Sequence, residues 1–171
     1  MWIGQEIFVK ACSAHGKGDT CGMDQSQTPA RDTRHALPMA LLRAREAVMT
    51  RFRPMLAAHD INEQQWRVIR VLGEVDSLDA SEVALRANIL APSLTRMIKA
   101  MTERGLIERA KDSSDGRRVM LSIAPKGREL LAAVAPDSAA IYRQLEAEYG
   151  PERTAQLIDL LIALADLNAD V

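Results

Sequence analysis

Thiols, aromatic rings, histidines and long apolar runs are all scarce in this chain, and each shortage narrows the reading. Only two cysteines occur among 171 residues, Cys12 and Cys21. Neither has His or Cys neighbours at metal-ligand spacing, so both read as incidental thiols in a reducing cytoplasm, with no disulfide framework and no metal site. Aromatic residues make up 4% while Leu, Ala and Met abound, which favours helices over sheets. No apolar run approaches the roughly 20 residues of a membrane span. Met1 to Lys10 lacks a basic stretch followed by an apolar core, so it does not read as a signal peptide. A cytoplasmic location without membrane contact is expected. The histidines are His15, His35 and His59. No Cys–His pair, H-E-x-x-H, phosphate loop or nucleophile elbow accompanies them, so neither an enzyme nor a cofactor is expected.

Net charge is also nearly absent, at −1, but its distribution is uneven. Residues 86–118 hold eight basic and four acidic residues, a local excess of +4, whereas residues 119–171 hold four basic and eight acidic. A basic segment inside a neutral chain is an electrostatic footprint for a polyanion. A solvated surface that happens to be basic has the same composition, so charge alone does not decide.

The overall content, 47% hydrophobic and 26% charged, suits one globular domain with room for a helical appendage. Residues 1–34 show no sustained period. They read as a disordered arm, or as an over-called start with Met23 or Met39 as the initiator. From Leu37 the spacing turns helical: Leu37, Leu41, Ala44, Val48, Phe52 and Met55 build one stripe, with Pro54 expected to kink or shorten it. Ile61 to Trp66 is a helix start, with Asn62 as cap, Gln65 at the capping-box position and Ile61 stapling to Trp66. The same grammar returns at Leu78 to Val83, where Asp79 caps, Glu82 should return the bond, and the helix ends near Asn88.

A third helix follows after a turn of a few residues, with Pro92 suited to its first position. Leu94, Met97, Ile98 and Met101 form its inner face, and Gly105 should terminate it in the left-handed region. Two short strands, Leu106 to Ala110 and Val119 to Ile123, flank a polar turn marked by Asp115 and Gly116. Pro125 opens a long helix, kinked near Pro136. Pro151 opens the last one, whose Leu157, Ile158, Leu160, Leu161, Ile162, Leu164 and Leu167 leave almost no polar face. Such a helix must be covered, and a second copy of the chain is the expected cover.

Helix, short turn, helix and basic hairpin form an order that fits duplex DNA. The major groove admits one α-helix, and the adjacent minor groove admits an arginine. On the third helix the outward residues are Ser93, Thr95, Arg96, Lys99 and Glu103. Arg96 is the candidate for reading base edges; Lys99 and Ser93 suit phosphate. In the hairpin, Asp115 and Arg117 lie two apart on a tight turn, so the carboxylate can hold the guanidinium in one rotamer. Arg109, Lys111 and Arg118 add phosphate-directed charge. Taken singly, each is also compatible with an ordinary surface.

Asp112 to Gly127, running D-S-S-D-G-R-R-V-M-L-S-I-A-P-K-G, resembles the wing signature of MarR-family regulators. Pro92-Ser93-Leu94-Thr95-Arg96, followed by Glu103 to Ile107, resembles their recognition helix and its exit. The resemblance covers roughly 35–168. The stretches Leu41 to Ala47 and Arg53-Pro54 through Glu63 to Leu72 are similar to the branch that regulates homoprotocatechuate (aromatic acid) degradation operons. The resemblance implies a mainly α fold with a small β-hairpin: a winged helix-turn-helix with N- and C-terminal dimerisation helices at 37–58 and 125–168 and a DNA-binding lobe at 61–123. It further implies a homodimer on a near-palindromic double-stranded operator, usually a repressor, released by a small phenolic or aromatic acid. Arg96 would then stand in the major groove and Arg117 at the wing tip in the minor groove.

Two positions depart from the family pattern. Ala91 precedes Pro92 and Ala124 precedes Pro125, where polar caps are common, so both helix starts should be less firmly anchored. For an aromatic carboxylate the lining helices offer Arg43, Arg45, His59, Trp66 and Arg70, although His59 equally suits a helix end and Trp66 a core. The folded part has no cysteine for redox sensing. The competing class is a winged-helix interaction module without DNA binding; the +4 segment with Arg96, Lys99 and Arg117 argues against it, since such a module need not keep it.

Overall fold

In the computed structural model, which describes residues 32, 33, 35–111 and 118–167, six helices flank a small sheet. The first helix, α1, spans Leu37–Ala58 and contains Pro54 without being shortened by it. Its end is closed by Asp60 at φ 53, with the Ile61 amide donating to the Leu56 carbonyl and the Asp60 amide to Ala57. That pairing satisfies two carbonyls the helix leaves orphaned. The second helix, α2 (Glu63–Gly73), starts with the full capping box: Asn62 accepts from Gln64 and Gln65, and the Gln65 side chain accepts from the Asn62 amide.

The next stretch departs from expectation in two ways. Leu78–Asp79 form a two-residue strand, β1, before the short helix α3 (Ala80–Arg86). Asp79 caps α3 as expected, but Glu82 does not complete a box. Its carboxylate accepts instead from Arg86 Nε, 2.7 Å away, one turn on. An arginine four residues along a helix is a charged donor in the favoured geometry, and it outcompetes a backbone amide. Asn88, at φ 50, then closes α3 with the same two-bond pattern seen after α1.

The helix α4 (Ala91–Glu103) begins one residue earlier than Pro92 suggests. Its N-cap is Leu90, which has no side chain able to cap, and Ala91 lies inside the first turn. Gly105, at φ 71, ends it, with Leu106 and Gly105 amides donating to Met101 and Thr102 carbonyls. The strands β2 (Ile107–Lys111) and β3 (Val119–Ile123) pair antiparallel with Arg109 opposite Leu121, and β1 adds to the far side of β3 in the order β1-β3-β2. The helices α5 (Pro125–Tyr149) and α6 (Pro151–Asp166) complete the chain, α5 running through Pro136 and starting on Ala124 without a side-chain cap.

One core joins these parts. Val68, Ile69 and Leu72 of α2 have no exposed surface, and neither do Val83, Met101, Leu121 and Val134. Burying each such side chain contributes on the order of 1.5–3 kcal/mol. α1 packs on α2 and α5, and α2 on α3, α5 and β3. The last helix differs. Among its described residues none is buried, and Leu160 and Ile162 are more than half exposed. Leu37, Leu41, Leu42 and Val48 of α1 are likewise exposed. None of the described helices is long and apolar enough to cross a membrane.

Candidate nucleic-acid interface and ligand cavity

The outward face of α4 follows from its period. Leu94, Ile98 and Met101 take the buried side, which turns Thr95, Arg96 and Lys99 to solvent and leaves Ser93 half-buried at the first turn. The Thr95 hydroxyl donates to the Ala91 carbonyl at 3.0 Å, and Arg96 Nε reaches back to the Pro92 carbonyl at 3.4 Å. Lys99 Nζ lies 3.9 Å from Glu103, both well exposed, so this pair contributes little to stability. Among the described residues, the cations of this face are held by weak local contacts and can change partner at small cost.

The hairpin brings further charge beside that face. Thr95 and Lys99 of α4, Arg109 of β2 and Val119 of β3 line one groove of about 380 Å³. Lys111 is exposed at the end of β2. Arg118 is exposed and lines a second recess with Asp79 and Ser81, at the capped start of α3. Asp115 and Arg117 lie outside the described residues.

Between α1, α2 and α5 lies a second cavity of about 220 Å³. Arg45, Trp66 and Arg70, three of the residues singled out for an effector, meet here. Trp66 and Arg70 are four apart on α2 and so share a face. His59 and Arg43 are not among its lining. His59 caps the end of α1, its amide donating to the Leu56 carbonyl at 3.1 Å. Arg43, on the exposed part of α1, has partners of its own. Sequence reasoning missed Phe52, Glu63, Arg67 and Tyr142, which also line the cavity. Phe52 and Tyr142 meet edge to face with centroids 5.2 Å apart. Tyr142 comes from α5, ninety positions further along the chain, and no local spacing signals that meeting.

A ring of charge runs through two of the lining residues, Arg45 and Glu63. Arg45 bonds Glu63 and, at 2.8 Å, Glu46; Arg53 bonds Glu63 and Glu46, each at 2.6 Å. Burial pushes the Glu63 carboxyl upward, but hydrogen bonds and charge from Arg53 and Arg45 outweigh it and hold it below the usual carboxylate value. Further along α1, Arg51 pairs with Glu148 of α5, and that hydrogen bond holds the Glu148 carboxyl below its ordinary value.

The cavity therefore offers cations beside aromatic and aliphatic walls, and the groove beside α4 offers cations and a hydroxyl on a convex helix. Residues 59–118 match the family model described as "MarR family". The homoprotocatechuate degradative operon repressor of Escherichia coli is 41% identical over 126 residues, 74% of this chain and 85% of that protein. The chain belongs to the MarR family of transcriptional regulators. NadR, solved in complex with 4-hydroxyphenylacetate, superposes with a TM-score of 0.72 at 38% identity, covering 82% of this chain and 99% of that one. CouR, a transcriptional repressor solved on a 23-mer DNA duplex, gives 0.73 at 27% identity, covering 82% and 99%. The mainly helical winged helix-turn-helix expected from the sequence is thus the fold observed, with a third short strand added to the wing sheet.

Proposed function

We infer that this regulator is a homodimeric repressor that binds a near-palindromic operator through α4 and the hairpin and is released by a small aromatic acid. The observation that carries the DNA reading is the groove shared by Thr95, Lys99 and Arg109, which sets two basic elements side by side on one exposed surface. Arg96 reads base edges, Ser93, Lys99, Arg109, Lys111 and Arg118 hold phosphates, and Arg117, oriented by Asp115, enters the minor groove. The DNA-binding lobe is 61–123. Helices 37–58 and 125–168 form the dimer, and the exposed apolar surfaces of α1 and α6 support that role. The molecule works in the cytoplasm; the arm expected at residues 1–34 lies almost wholly outside the described residues.

The effector reading rests on the second cavity. An aromatic acid needs a cation for its carboxylate and an apolar wall for its ring; Arg70 and Arg45 supply the first, Trp66 and Phe52 the second. The similarity to a homoprotocatechuate operon repressor and to a regulator holding 4-hydroxyphenylacetate supports an aromatic-acid operon as the target.

A gel shift on the DNA upstream of the chain's own gene tests the DNA reading. A shift at about micromolar protein and low salt is expected for a specific site in this class; its absence removes the reading. Arg117→Ala should weaken binding by roughly 1–3 kcal/mol, and unchanged affinity would refute the wing assignment.

A further inference from the structure

Arg67 stands in two places at once. It lines the cavity between α1, α2 and α5, and its Nη1 donates to the Asn88 carbonyl at 2.9 Å. Asn88 is the left-handed residue of the turn between α3 and α4, two positions before the Leu90 that starts α4. Its carbonyl is thus held from outside the helix-turn-helix by a side chain of the cavity wall. The same guanidinium has an unsatisfied donor: Arg67 Nε is buried and has no hydrogen-bond partner among the described residues. Buried unpaired donors are rare because they are costly, and one on a cavity wall points to an acceptor that arrives with a ligand.

We propose that Arg67 is a positioning residue that couples the cavity to the recognition helix. The guanidinium is a rigid planar fork, so its donors cannot be re-aimed independently. An oxygen of a ligand that takes Nε turns the whole fork. The Nη1 contact with the Asn88 carbonyl then lengthens, and the start of α4 loses the restraint that sets its angle to the lobe. Leu90 has no side-chain cap to compensate, so the first turn of α4 depends more on this contact than a capped helix would. Linkage is reciprocal: a duplex that holds α4 in place must weaken the ligand by the same factor. This inference rests on the cavity being an effector site.

The test separates coupling from binding. In Arg67→Lys an ammonium still reaches the Asn88 carbonyl, but no second donor is rigidly joined to it. Binding of 4-hydroxyphenylacetate is measured by calorimetry and operator affinity by anisotropy, with and without that acid. In the unaltered protein the acid should weaken operator binding by about 5- to 150-fold, the usual range for such coupling. In Arg67→Lys operator affinity without the acid should stay within about threefold and the acid should still bind, about tenfold more weakly for the loss of the Nε bond, while at saturating acid the weakening of operator binding falls below twofold; a residue that only stabilised the fold would not erase the ratio alone. Full coupling in the variant overturns the inference and leaves the effector reading standing. Loss of acid binding in the variant makes Arg67 an ordinary ligand contact and overturns it too. No binding to the unaltered protein overturns the effector reading first, and this inference with it. Thermal unfolding checks that the variant folds, and Arg67→Gln, which also keeps one donor for the carbonyl, repeats the measurement if it does not.

Discussion

Gly127 shows how much one atom matters where the wing meets α5. A Cβ there would sit 2.2 Å from the Leu106 carbonyl oxygen and 2.8 Å from an Ile123 side-chain carbon. Backbone cannot move aside as a side-chain tip can, so Gly127→Ala should destabilise by about 1–3 kcal/mol, an overpacking cost, read as a lowered midpoint in urea. Asn62 acts through hydrogen bonds instead. Asn62→Ala removes the acceptor of two amides at the start of α2 and should cost about 1 kcal/mol; an unchanged midpoint would show that the box is idle. At the cavity, Arg70→Gln should abolish 4-hydroxyphenylacetate binding while leaving ligand-free operator affinity unaltered, because Arg70 is exposed on α2 and bonds to nothing in the helix-turn-helix among the contacts of the described residues. The residues legible from sequence are those whose role is local: Asn62, Asp79 and Gly105 each act within a few positions of their own place in the chain. Glu82 was misread because two local partners were on offer and the charged one won. Arg67 and Tyr142 were illegible because their meaning depends on which helix faces which.

At the scale of elements, periodicity located the buried face of α4 and, at Phe52 and Met55, the buried end of the α1 stripe, since burial on one side is what periodicity encodes. β1 escaped because two residues cannot show a period; Leu78 and Asp79 are strand only through pairing with Leu121 and Met120. The join between α1 and α2 carries a pH prediction. The Glu63 carboxyl lies below its ordinary value because Arg53 and Arg45 outweigh burial. Its contribution to stability is therefore present above the unfolded carboxylate range, about 4.3, and is lost as pH falls through the lower folded value. Glu63→Gln should flatten the acid limb of the stability curve below about pH 5. A variant whose acid limb matches that of the parent protein contradicts this account of the ring.

For the molecule as a whole, the exposed side chains of α6 and the first half of α1 set the largest demand. Leu157, Ile158, Leu160, Leu161 and Ile162 lie 39–61% exposed on one helix, and a surface of that kind marks an interaction site. A second copy supplies a matching surface by symmetry. Leu160→Asp should shift the sedimenting species from dimer toward monomer and, with it, lose operator binding even though α4 is untouched. Two half-sites joined through one interface bind a duplex far more tightly than either alone. The central claim is that two such copies set α4 and the hairpin on the phosphates of one duplex, and its most direct measurement is anisotropy of the labelled upstream duplex titrated across salt. The account predicts two protomers per duplex and an affinity that falls about 10³- to 10⁵-fold between 50 and 200 mM salt, the mark of some six to ten phosphate contacts. One protomer per duplex, or an affinity indifferent to salt, would contradict it.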